Sequence, residues 1–90
     1  MITTTNPATG ETIAEYEMLD QNGIDRKLET ATRAFRDWRT TSLDERTKVL
    51  SRLGDLYEAN QEELAKLAVA EMGKPITQAR AEVGKCANLL

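Results

Sequence analysis

Two stretches, Asn6-Pro7-Ala8-Thr9-Gly10-Glu11 and Glu71-Met72-Gly73-Lys74-Pro75, punctuate the chain and set the reading of everything around them. The first lies between Ile2–Asn6 and Thr12–Glu17, runs rich in Thr, Ile and Tyr that suit extended backbone. Pro7 presets φ for a turn, and Gly10 can take positive φ without a Cβ clash. A short hairpin is the expected result. Two strands by themselves are marginal in water, so the hairpin is expected to rest on a larger body. In the second stretch, Gly73 fits the left-handed position that closes a helix, and Pro75 fits the first turn of the next.

Between these marks the apolar period is that of a helix. Ile24, Leu28, Ala31, Phe35 and Trp38 follow steps of four, three, four and three, which places all five on one face. Asn22 is the expected N-cap, and the helix is expected to end near Arg39. Ser42 and Glu45 then form a Ser-x-x-Glu capping box, followed by the stripe Val49, Leu50, Leu53, Leu56 and Tyr57. Asn60 and Glu63 offer a similar pair for a third helix, with Leu64, Leu67, Ala68 and Met72 expected on its buried side. After Pro75, the residues Ile76, Ala79, Val83, Cys86, Ala87 and Leu90 make a fourth stripe. The expected fold is mainly α: an N-terminal β-hairpin followed by four amphipathic helices near 23–39, 43–59, 61–72 and 75–90.

Composition narrows the function classes. Ninety residues, 40% hydrophobic and 30% charged, fit a folded segment rather than a disordered one. The net charge of −3, with Lys and Arg scattered among Asp and Glu, provides no basic stripe for nucleic acid. No stretch approaches the ~20 apolar residues of a membrane span, and Met1-Ile2-Thr3-Thr4-Thr5 has neither a cationic lead nor an apolar run. A cytoplasmic location is expected. One cysteine and no histidine exclude an internal disulfide, a Cys/His zinc site and any Cys-His or Ser-His pair within the chain.

Individual motifs read as structural. A P-loop needs glycine five positions before Gly73-Lys74 and Ser or Thr after it, where this chain has Ala68 and Pro75. A reactive thiolate needs a cationic neighbour, a helix N-terminus or a base, whereas Cys86 falls deep in a helical pattern and is expected to be a small core residue. The pairs Asp44/Glu45 and Glu62/Glu63 belong to first helical turns, where the helix dipole favours carboxylates. Phe35 and Trp38 are expected to be core or interface anchors. The expected catalytic, cofactor-binding and metal-binding residues are none.

The two quoted stretches, the helix with Phe35 and Trp38 between them, and Ala81-Glu82-Val83 after them, in this order and spacing, resemble the opening of an aldehyde dehydrogenase, most closely the succinate-semialdehyde branch. The resemblance covers essentially all 90 residues. It implies a β-hairpin and helices wrapped around a dinucleotide-binding domain, so that 1–90 would be an N-terminal part of the cofactor-binding domain, truncated before the dinucleotide-binding core and the catalytic domain. It also implies a parent that oxidises succinate semialdehyde or a similar short aldehyde with NAD or NADP, through a cysteine nucleophile and a glutamate base. Both belong to later segments of the family, so neither is assigned here, and no cofactor is expected on this chain itself. In the family, the helix equivalent to 75–90 borders the substrate entrance, which brings Glu82, Cys86 and Leu89 into question there.

The expected partners are the remainder of a parent dehydrogenase, itself an oligomer, or another copy of this chain meeting Phe35, Trp38, Leu53 and Leu56. A self-contained helical interaction module without enzymatic activity is the alternative. A regulatory remnant that docks onto a dehydrogenase subunit is a third reading.

Overall fold

The computed structural model describes residues 1–90. Strands β1 (Ile2–Thr5) and β2 (Thr12–Tyr16) are followed by helices α1 (Gln21–Trp38), α2 (Leu43–Ala59), α3 (Gln61–Met72) and α4 (Ile76–Leu89). Mainly helical architecture behind an N-terminal hairpin is therefore what the sequence period predicts. The antiparallel strands pair Ile2 with Tyr16, Thr3 with Glu15 and Thr4 with Ala14, then shift register before Thr5 meets Thr12. The turn is held by the Asn6 side chain, which accepts from the Ala8 N–H at 2.9 Å. Gly10 adopts φ of 78° there, a conformation that costs little without a Cβ.

Helix starts follow local chemistry, with three departures from expectation. Asp20, not Asn22, caps α1: its extended backbone lets the carboxylate accept from the Gly23 N–H at 2.7 Å, and Asn22 falls inside the first turn. Asn60 does not cap α3. It is the single residue joining α2 to α3, with ψ of 18° rather than the extended value a cap requires, and its side-chain amide donates back to the Leu56 carbonyl at 2.8 Å. Pro75 stands just before α4 rather than in it; its ψ is 138°, and its carbonyl accepts from Gln78 and Ala79. Ser42 does cap α2, accepting from the Glu45 N–H at 3.2 Å. Gly73 closes α3 in the left-handed conformation, φ 69°.

Helix α4 packs between α2 and α3, while α1 makes no extensive contact with any of the three. Close approach depends on missing side chains. A Cβ on Gly54 of α2 would stand 3.1 Å from the Ala87 carbonyl and 3.2 Å from Leu90 Cβ. Ala65 and Ala79 are buried between α3 and α4, and with Gly23 and Gly54 they are the only buried residues. The hairpin turn meets the α3–α4 corner, with Pro7 Cγ 3.0 Å from the position a Cβ on Gly73 would take.

The result is a slab, 47 × 36 × 14 Å. Its shortest dimension is less than a third of its longest. Its radius of gyration is 17.3 Å, where a compact domain of this length has ~12 Å. The accessible surface of 7373 Å² exceeds by ~2,100 Å² the ~5,200 Å² of a compact protein of its mass. So open a shape leaves little interior, and only four residues are buried.

That geometry corrects the burial expected on α3, where Leu67 and Met72 are exposed; Leu50, Leu53 and Leu56 of the α2 stripe are open to solvent too. Cys86 is exposed as well, contrary to the core role expected of it. The stripe of α4 turned to its neighbours runs Ile76, Ala79, Val83 and Ala87, and Cys86 lies ~100° round the helix from Ala87.

Candidate functional site

An apolar face of α1 is open to solvent. On α1, Ile24, Leu28, Phe35 and Trp38 all face solvent, Leu28 and Phe35 with 62% and 60% of their surface exposed. Ala31 and Ala34 leave a shallow groove of about 550 Å³ beside Phe35, Asp37, Trp38 and Thr41. A second groove of about 320 Å³ lies between α2 and α3, lined by Leu53, Leu56, Tyr57, Asn60, Glu63 and Leu64. Both lie on the surface, and both are mainly hydrocarbon. Phe35 and Trp38 are thus not core residues of this chain; both side chains are open to solvent. Their placement follows from the sequence, because α1 concentrates its apolar side chains on one face and the slab offers that face nothing to cover it.

The polar features are ion pairs that tie α4 to its surroundings. Arg80 of α4 grips Glu62 of α3 with two parallel bonds, Nε to Oε2 at 2.8 Å and Nη2 to Oε1 at 2.7 Å. The hydrogen bond from Arg80 holds the Glu62 carboxyl below the usual glutamate range, and the same bond raises the Arg80 guanidinium. Gln61 adds a bond from its side-chain amide to the Arg80 carbonyl at 2.9 Å. Lys74, in the corner after Gly73, pairs with Glu82. None of these links was read from the sequence, since Glu62 and Arg80 are eighteen residues apart and only the α3–α4 turn brings them together.

Of the residues associated with a substrate entrance, Glu82, Cys86 and Leu89 occur at steps of four and three on α4 and share one face. All three are exposed, and Glu82 is engaged by Lys74. Asp44 and Glu45 lie in the first turn of α2, Glu62 and Glu63 in that of α3. No three His, Cys, Asp or Glu side chains approach closely enough to hold a metal ion. No helix is long and apolar enough to cross a membrane. The arrangement leaves two apolar grooves open on the surface, and two ion pairs link α4 to α3 and to the corner before it.

Residues 1–90 match the family described as "Aldehyde dehydrogenase family". The chain belongs to the aldehyde dehydrogenase family. Over 84 residues it is 46% identical to the NAD(P)+ succinate semialdehyde dehydrogenase Sad of Escherichia coli (strain K12), covering 93% of this chain and 18% of that protein. It is 38% identical over 87 residues to the NADP(+) succinate-semialdehyde dehydrogenase 1 of Mycobacterium tuberculosis (strain ATCC 25618 / H37Rv), covering 97% and 19%. A 3-sulfolactaldehyde dehydrogenase of Pseudomonas putida is 40% identical over 80 residues, covering 89% and 16%. This aldehyde dehydrogenase chain therefore spans about a fifth of the length of the curated relatives it matches. The resemblance carried by Asn6–Glu11 and Glu71–Pro75 is thereby supported along the whole chain.

Proposed function

We propose that this chain is the N-terminal segment of an NAD(P)-dependent aldehyde dehydrogenase that oxidises succinate semialdehyde, or a similar short aldehyde, to the carboxylic acid. Its part in that enzyme is structural. The apolar faces of α1 and of α2–α3 seat on the remaining polypeptide. The catalytic cysteine, the glutamate base and the dinucleotide-binding loop come from elsewhere in the enzyme, and the 90 residues alone are inert. In this reading Cys86, exposed on α4, carries no catalytic role.

One observation carries the reading: a chain matched end to end by a family whose members are about five times longer exposes ~2,100 Å² more surface than a compact protein of its mass. The substrate class follows the names of the relatives and the cofactor class does the same. The experiment is to express the polypeptide encoded by the reading frame that continues past Leu90 and to follow reduced-nicotinamide absorbance with succinate semialdehyde and NAD or NADP. Turnover by the longer polypeptide and none by residues 1–90 is expected. A frame that stops at Leu90, or an extended polypeptide without aldehyde oxidation, would overturn it.

A further inference from the structure

We draw no further inference here: the strongest candidate, the apolar groove between α2 and α3 lined by Leu53, Leu56, Tyr57 and Leu64, is an uncovered face of a chain that spans about a fifth of the length of its relatives, and nothing in the structure shows what covers it.

Discussion

Replacing Gly73 with alanine tests the corner where the hairpin, α3 and α4 meet. Gly73 closes α3 at φ 69° and its N–H donates to the Val69 carbonyl at 3.0 Å. A side chain in this left-handed conformation costs ~1–2 kcal/mol. Alanine also narrows the unfolded ensemble, which offsets ~0.4–1 kcal/mol of that loss. The new Cβ would further stand 3.0 Å from Pro7 Cγ, closer than carbon atoms comfortably approach, so the hairpin turn must retreat. The net expectation is a loss of ~1–2 kcal/mol, a large share of the stability of a chain this small. Gly73→Asn separates the causes, since asparagine tolerates left-handed backbone but still carries a Cβ towards Pro7. Pro7→Ala in the Gly73→Ala background should recover the steric part and leave the backbone part, a coupling that a double-mutant cycle reads directly. Urea unfolding followed by far-UV circular dichroism is the assay. If Gly73→Ala is as stable as the native chain, or if Pro7→Ala shows no coupling to it, the corner is not built as described.

Ser42→Ala should cost ~1 kcal/mol of helix stability because it removes the bond to the Glu45 N–H; Asn60→Ala should cost clearly less, because Asn60 caps nothing at the start of α3. Urea midpoints for the two variants compare them. For Glu62, the folded-state carboxyl lies below its ordinary value through the Arg80 bond. The stability it contributes is therefore present above the unfolded glutamate pKa and is lost as pH falls through the folded one. A stability–pH profile should show this acid-side loss in the native chain and not in Glu62→Gln, and added salt should weaken it. Cys86 should react with a thiol reagent at the rate of an exposed cysteine without denaturant; protection until unfolding would restore the core assignment made from the helical pattern.

What the sequence conveyed, and what it did not, divides by the range of the interaction. Local signals held: the turn at Pro7–Gly10, the Ser42 cap, the Gly73 stop, and the period that runs from Ile24 to Trp38 all appear where the spacing places them. Asp20 was passed over for Asn22 because both are good caps, and the choice depended on the extended backbone two residues earlier. Asn60 misled because a one-residue junction leaves no room for capping geometry. Burial failed more widely. An apolar stripe states that a face wants cover, not that this chain supplies it, and so Leu67, Met72 and Cys86, which their helical spacing assigns to the interior, lie outside. The Glu62–Arg80 and Lys74–Glu82 pairs had no local signature. They exist because Gly73 and Pro75 turn the chain between α3 and α4. The family, by contrast, was legible from the order of two short motifs around one amphipathic helix.

The central claim is that these 90 residues form a docking segment of an aldehyde dehydrogenase, and a complementation assay tests it most directly. The body of the Escherichia coli relative, lacking the part that aligns with this chain, would be purified and mixed with residues 1–90, and reduced-nicotinamide absorbance followed with succinate semialdehyde and NAD or NADP. The account predicts no turnover from either component, turnover from the mixture, and little from a mixture made with Phe35→Glu. Turnover by the 90-residue chain alone, no turnover from the mixture, or equal rescue by Phe35→Glu would contradict it.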